Sequence, residues 1–250
     1  MQPARIAELL QPFLSNVCHS EPAKAGEESA VLSAAQLQSI LTYINMLLHW
    51  NARINLTAIR TPEEIVTRHF GESLFAARHL FPHVSPAYSA PSAVKALDVD
   101  VDVAVSRSPK AAARVADLGS GAGFPGVPIK IWAPNIALTP IESNQKKATF
   151  LRELARALTL TDINIKNARA ETLPPSTFDV VTLRAVERLP KVLPVAFTLL
   201  APDGRLAMLI SSSQLASTYS TLHNLAWGHP IPIPNSQSRI LLVGQAEPRL

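Results

Sequence analysis

Apolar positions in the first third of the chain recur at helical spacing. Ile6, Leu9, Leu10, Phe13, Leu14 and Val17 share one face over residues 4–17. Residues 20–30 are polar and acidic and read as a linker. Leu37, Ile40, Leu41, Ile44, Leu47 and Leu48 then repeat at the same spacing to about Trp50. Ser33, with Gln36 three residues on, forms a capping box at the start of that helix. Thr61-Pro62-Glu63-Glu64 opens another helix, with acid in its first turn, that runs to about Leu80.

From residue 114 the period shortens. Val115 to Leu118 is a short apolar run closed by glycine, as expected of a buried parallel strand. Ile136 to Glu142, Ile163 to Ile165, Phe178 to Leu183, Arg205 to Ile210 and Arg239 to Val243 read as further strands. Helical stretches lie between them: one after Gly126, then Lys146 to Leu158, Leu189 to Leu200 and Leu215 to Leu225. Strand and helix alternate at short intervals, which predicts a doubly wound, mostly parallel sheet. Pro140 lacks the donor a central strand needs, so a bulge is expected there. Residues 82–113 are rich in Pro, Ala, Ser and Val and read as a surface insertion. The Val/Asp alternation from Asp98 to Val105 allows an extra edge strand. The expected organisation is a helical extension over 1–81, the insertion over 82–113 and an α/β domain over 114–250.

Composition narrows the classes. Of 250 residues, 47% are hydrophobic and 17% charged, the balance of a core-forming chain. Cys18 is the single cysteine, so an intrachain disulfide is excluded, and a reducing, cytoplasmic setting is expected. No apolar run reaches membrane-spanning length. The formal charge of +4 fits a polyanionic partner such as nucleic acid. The seven histidines show no ligand spacing, so no metal is expected.

The chemistry centres on Asp117-Leu118-Gly119-Ser120-Gly121-Ala122-Gly123-Phe124-Pro125-Gly126. Three glycines at alternate positions permit positive φ and close approach of backbone to a bound molecule. Gly121-x-Gly123-x-x-Gly126 fits a dinucleotide fingerprint. Asp117, two residues before the first glycine, gives the stretch instead the look of the nucleotide motif of class I S-adenosylmethionine (SAM) methyltransferases. In open α/β sheets, ligands bind beyond the carboxyl ends of the strands. Those ends offer Gly119, Glu142, Ala170-Glu171 and Arg184. Glu142 can accept both hydrogen bonds of a ribose diol. Glu171 could instead cap the next turn. Arg169, Arg184, Arg188, Lys191, Lys146 and Lys147 would surround this rim and suit a phosphate backbone. A charge directly after the apolar run 180–183 needs a partner or water, which singles out Arg184.

Four stretches in order resemble the RsmG (GidB) family of small-subunit ribosomal RNA guanine-N7 methyltransferases. They are Trp50-Asn-Ala-Arg-Ile-Asn-Leu-Thr57, Arg68-His69 with Ser73, Asp117 to Pro128, and Arg184-Ala185-Val186 in place of Arg-Ala-Phe. Ala168-Arg169-Ala170-Glu171 and Phe150-Leu151-Arg152 also fit. The resemblance implies a Rossmann-like class I fold, with SAM held near Asp117, Gly119, Gly121, Gly123, Phe124, Glu142, Ala170, Glu171 and Arg184. It implies methyl transfer to guanine N7 in 16S rRNA, free or within the small subunit, by a monomer. Arg184 is expected to position the guanine or its phosphate, and Arg169 the RNA backbone. One departure stands out. The family usually has lysine then glycine at the end of the fifth strand, where this chain has Ile210-Ser211. Weakened RNA affinity, or a substitute cation at Arg205 or Lys191, is therefore expected. A class I methyltransferase with another substrate and a non-catalytic RNA-binding relative are the alternatives.

Overall fold

The computed structural model describes residues 1–15, 31–82, 112–184 and 189–247. The 20–30 linker, Cys18, Arg188, Ala185-Val186 and nearly all of the 82–113 insertion, with its edge strand, lie outside the described residues.

The helical extension holds α1 (Pro3–Leu14), α2 (Ala34–Asn51), a single turn α3 (Pro62–Glu64) and α4 (Glu72–Leu80). The Ser33–Gln36 capping box is formed in both directions at the start of α2. Residues Ile65–Gly71, between α3 and α4, wind as a π-helix. The apolar spacing reads on as one helix and gives no sign of the wider turn. Such turns are frequent at functional sites. This one carries Arg68 and His69 and delivers Glu72 at its end.

The α/β part runs β1 (Arg114–Leu118), α5 (Gly126–Trp132), β2 (Ala137–Ile141), α6 (Gln145–Ala157), β3 (Phe178–Arg184), α7 (Leu189–Leu199), β4 (Leu200–Ser211), α8 (Leu215–Thr221), β5 (Leu225–Trp227), β6 (Ile231–Pro232) and β7 (Arg239–Ala246). Strand order is β2-β1-β3-β4-β7-β5, with β6 also on β7. The first four strands are parallel, whereas β7 runs antiparallel to β4, β5 and β6. Alternate residues serve opposite faces, as strand geometry requires. Val115, Val180, Leu209 and Leu241 join the core shared with the helical extension and with α5 and α6. Ala116, Val181, Ile210 and Leu242 join the core under α7 and α8.

Several sequence expectations need correction. The β1–β2 register is regular through Pro140, so there is no bulge. Pro140 lies on the side of β2 turned away from β1, where its carbonyl accepts from the Lys166 N–H at 2.8 Å. Its missing donor falls between the bridges Leu138–Ile163 and Ile141–Lys166. Ile163 and Lys166 accordingly make isolated bridges rather than a strand. β4 begins at Leu200 rather than Arg205, and its register on β3 is interrupted around Asp203, which takes φ 60°. The last helix stops at Thr221, and Leu225 belongs to a strand.

The segment after α2 is ordered by one side chain. Asn51 Oδ1 accepts from the N–H groups of Leu56 (2.9 Å) and Thr57 (3.1 Å), and its Nδ2 donates to the Thr57 carbonyl (2.9 Å). Thr57 Oγ1 in turn lies 2.8 Å from His69 Nε2. The His69 ring stacks on Phe124, with centroids 4.6 Å apart. Tyr43 of α2 stacks on Phe124 at 5.0 Å, and its hydroxyl donates to the Ala122 carbonyl. Phe70 meets both rings edge-on. Aromatic pairs contribute about 0.5–1.5 kcal/mol each beyond burial. Burial holds the Tyr43 phenol well above its ordinary pKa, so it stays a donor. At Gly123 φ is 96°, and an added Cβ would lie 2.5 Å from the Tyr43 hydroxyl. Only glycine fits between the loop and α2 there. The helical extension is thus the floor of the glycine loop.

Asp117 supports the loop from the other side. It is fully buried; Oδ1 accepts from Thr182 Oγ1 at 2.9 Å and Oδ2 from the Gly126 N–H at 3.2 Å. Loss of water pushes its pKa from 3.8 up to about 6, and the bonds from Thr182 and Gly126 offset part of that rise. Burial, helped by Arg184, Arg68 and Arg239, lowers the His69 pKa from 6.5 to about 3.

These two groups give opposite slopes of stability against pH. Between about pH 4 and 6 folded Asp117 keeps a proton that the unfolded chain releases, so its contribution falls as pH rises. Between about pH 6.5 and 3 the unfolded chain protonates His69 and the folded one does not, so stability falls as pH falls. Each slope reaches about 1.4 kcal/mol per pH unit, and the two nearly cancel from about pH 4.5 to 6. In Asp117→Asn only the His69 slope remains. Urea midpoints should then drop between about pH 6 and 4.5 in the variant, relative to the parent. Parallel profiles for the two proteins would contradict the assignment.

Candidate functional site

The glycine loop leaves β1 after Leu118. The N–H groups of Gly119 and Ser120 both donate to the Ile141 carbonyl, at 2.9 and 3.1 Å, which ties the loop to the end of β2. Gly119 takes φ 65°, and a Cβ added there would meet nothing within 4 Å. The open space belongs to a cavity of about 330 Å³. Leu118, Gly119, Ile141, Glu142, Ser143, Ala168, Arg169, Ala170, Glu171, Val192 and Val195 line it. The size is that of a small-molecule site, and its place at the carboxyl edge of the parallel strands is where such folds bind ligands.

Glu142 is nearly buried. Its Oε2 accepts from the Gly121 N–H at 2.9 Å and its Oε1 from the Asn144 N–H at 2.7 Å. A carboxylate offers about four acceptor positions, so one stays free on each oxygen, the spacing a vicinal diol needs. Val192 and Val195 of α7, with Ile141 and Ala170, form an apolar side that a flat heterocycle can cover. Arg169 and Glu171 are exposed at the mouth. Glu171 sits inside the short 3-10 turn Ala170–Thr172, which no side chain caps.

A second feature stands on the same edge. Glu72 is buried and is met by three guanidinium groups. Arg184 Nη2 and Nε reach Oε2 at 3.0 and 3.3 Å, and Arg68 Nε reaches Oε1 at 3.2 Å. Arg239 Nε lies 3.0 Å from Oε1, but its N–H is not directed at that oxygen. That pair is an ion contact rather than a hydrogen bond. Arg184 Nη2 also donates to the Arg68 carbonyl at 2.8 Å.

The structure therefore divides the expected site residues. Gly119, Glu142, Arg169, Ala170 and Glu171 meet in one cavity. Gly121 stands beside it through its bond to Glu142. Asp117, Gly123 and Phe124 do not line it: Asp117 is sealed beneath the loop, and Gly123 and Phe124 face the helical extension. Arg184 reaches the edge but is held by Glu72, with 9% of its side chain exposed. Ile210 lies in the core under α7 and α8, so no charge is presented from that position. Arg205 cannot replace it. It pairs with Val180 near the amino end of β3, donates to the Leu80 carbonyl at 3.1 Å and sits over the Phe81 ring. Lys191 is exposed on α7, next to the cavity-lining Val192.

Sequence reasoning missed Glu72, Arg239, Val192, Val195 and the role of Tyr43. For Glu72 a signal existed, since an acid inside an apolar helical stretch requires a buried partner. Arg239 could be placed only by knowing that β7 runs antiparallel, which brings its first residue opposite Ser211 at the carboxyl end of β4. No described helix is long and apolar enough to cross a membrane. Among the described residues no group of three or more His, Cys, Asp or Glu is arranged to hold a metal.

Comparison with known proteins agrees with this geometry. A family described as rRNA small subunit methyltransferase G matches residues 36–85 and 97–224. A protein of that name from Halorhodospira halophila is 34% identical over 215 residues, covering 85% of this chain and 88% of that one. One from Xanthomonas euvesicatoria pv. vesicatoria is 35% identical over 182 residues, 72% of each chain. Among solved structures, a ribosomal protein L11 methylase from Lactobacillus delbrueckii subsp. bulgaricus superposes with a TM-score of 0.51 at 14% identity. It covers 72% of this chain and 79% of that one, and speaks for the fold alone. The matched residues take in α2, the π-helix, the glycine loop, the cavity and Arg184, so this chain belongs to the rRNA small subunit methyltransferase G family.

Proposed function

We propose that the protein transfers a methyl group from SAM to N7 of a guanine in 16S rRNA. The observation that carries this reading is the cavity between Gly119 and Glu142. Bare backbone faces it on one side, and on the other is a carboxylate with two acceptor positions to spare. That carboxylate suits the ribose diol of an adenosine, and SAM is chosen over a dinucleotide by the family, whose members named above are methyltransferases. When bound, the sulfonium cofactor supplies an electrophilic methyl group. Guanine N7 carries a lone pair and no proton, so the chain has no general base to provide. Its residues bind and align, and alignment alone supplies much of the acceleration in such transfers.

Glu142 holds the ribose, the Gly119 backbone lies against the cofactor, and Ala170 with Val192 and Val195 covers the adenine. Arg169, exposed at the mouth, holds the RNA backbone as the target base leaves its stack. Arg184 acts through its fixed position beside the loop. Tied to Glu72, it cannot grip O6 and N7 together in the manner of arginine reading guanine, and N7 stays free for attack. These roles are our reading of the geometry. Support also comes from the family, whose members named above are small-subunit rRNA methyltransferases. We place the protein in the cytoplasm as a monomer.

Glu142→Ala should weaken SAM binding by about 10–100-fold in calorimetry, the loss of one or two charge-assisted hydrogen bonds. An unchanged affinity would remove the ribose role. Arg169→Ala should lower kcat/KM for small-subunit RNA by about tenfold while SAM affinity stays within about twofold, a phosphate contact being worth roughly 1–2 kcal/mol. Equal activity of the variant and the parent on RNA would show that Arg169 does not touch the substrate.

A further inference from the structure

Glu72 is surrounded by more positive charge than it can balance. Arg68, Arg184 and Arg239 all contact the one carboxylate. Buried charges persist when paired, and three guanidinium groups exceed the one carboxylate they contact, even with Asp117 near Arg184. The surplus is not spread evenly. Arg184 directs its Nε and Nη2 to Glu72 and to the Arg68 carbonyl. Arg239 has neither Nε nor Nη2 in a hydrogen bond, although both atoms are buried. Arg68 is half-exposed, with only its Nε engaged on Glu72. Arg68, half-exposed, and Arg239, with 19% of its side chain exposed, thus keep donors that the carboxylate does not take up.

Topology puts these donors where a substrate arrives. Arg184 ends β3, one strand from the glycine loop that follows β1. Arg239 starts β7 opposite Ser211, the last residue of β4. Both stand on the carboxyl edge of the sheet, and Arg68 comes down on them from the π-helix. Ile210, one residue before Ser211, is turned into the core, so this part of the edge takes its charge from Arg239. Two guanidinium groups with forked donors suit the oxygens of a phosphodiester better than a carboxylate of the protein, which Glu72 already supplies.

We propose that the Glu72 cluster is a phosphate seat for the substrate RNA, in which Arg68 and Arg239 hold one backbone phosphate and Glu72 is the positioning residue that fixes both. This rests on the reading of the chain as an RNA methyltransferase, and it adds to Arg169 a second hold on the strand, on the other side of the loop. Arg68 and Arg239 touch substrate. Glu72 and Arg184 do not; Glu72 holds the two guanidinium groups side by side, and Arg184 ties Glu72 to the Arg68 carbonyl.

The test is binding of small-subunit rRNA by the full chain at a series of salt concentrations, with methylation assayed in parallel. Removing one cation from a phosphate lowers the slope of log affinity against log salt by about 0.7–0.9. Arg68→Gln and Arg239→Gln should each lower the slope by about that amount and raise KM for the RNA by about tenfold, with kcat and SAM affinity nearly unchanged. Arg239→Lys should restore the slope without the full affinity, because lysine offers a point charge and no fork. Arg68 is half-exposed, so its variant distinguishes weaker phosphate binding from misfolding. Slopes and KM equal to the parent in both Gln variants would overturn the seat while leaving the methyltransferase reading intact. A parent chain that binds RNA with the expected slope change in the variants, yet transfers no methyl group, would overturn that reading and leave the seat standing. RNA binding by the parent that ignores salt would overturn the seat as well.

Discussion

The hydroxyl of Tyr43 and the carbonyl of Ala122 form the joint on which the rest of the structure depends. The glycine loop has three residues at positive φ, Gly119, Gly121 and Gly123, and most of its N–H groups reach outside it, to Ile141, Glu142 and Asp117. Glycine loses more conformational freedom on folding than other residues. Something outside the loop must therefore hold its shape. Tyr43 does so from α2, and Phe124, packed between Tyr43 and His69, fastens the far end. The family segment from Trp50 to Thr57 takes its meaning from this joint. Asn51 folds the chain back on itself, and Thr57 fixes the ring of His69 beneath Phe124. Residues distant in sequence from any cofactor thus decide whether the cavity exists.

Electrostatics divides the same region into two environments. Beneath the loop, Asp117 is sealed from solvent, and its hydrogen bonds from Thr182 and Gly126 knit β1, β3 and the start of α5 together. Beside the loop, Glu72 gathers arginines from the π-helix, from β3 and from β7. Removing one partner of a buried pair costs far more than the pair contributes in place, so neither acid is free to vary alone. Glu142 is the third acid and the one aimed into the cavity. Its backbone donors, Gly121 and Asn144, orient the carboxylate before any ligand arrives, which limits the ordering cost of binding.

Much of this was legible in the residues. The alternation of short apolar runs with helical spacing gave the α/β sheet, and Ser33 with Gln36 marked the start of α2. Gly119, Glu142, Ala170, Glu171 and Arg184 were placed on one rim by a rule about strand ends, and all of them but Arg184 share one cavity. What failed were inferences from a residue's neighbours in sequence to its neighbours in space. Phe124 and Asp117 belong to the motif, yet both serve the packing around the loop. Arg184 follows an apolar run and did need a partner, but the partner lies 112 residues earlier, in a helix that periodicity alone could not aim. The π-helix and the direction of β7 had no local signature, and together they assemble the arginine cluster.

The most direct measurement is amide hydrogen exchange across residues 119–126, with and without SAM, in the parent and in Tyr43→Phe. If α2 holds the loop, the parent exchanges slowly there before SAM is added. The variant should then exchange faster across the loop and bind SAM about tenfold more weakly, the loss of one buried hydrogen bond. Equal exchange and equal affinity in the two proteins would mean that the loop keeps its shape unaided, and the dependence of the site on the helical extension would be wrong.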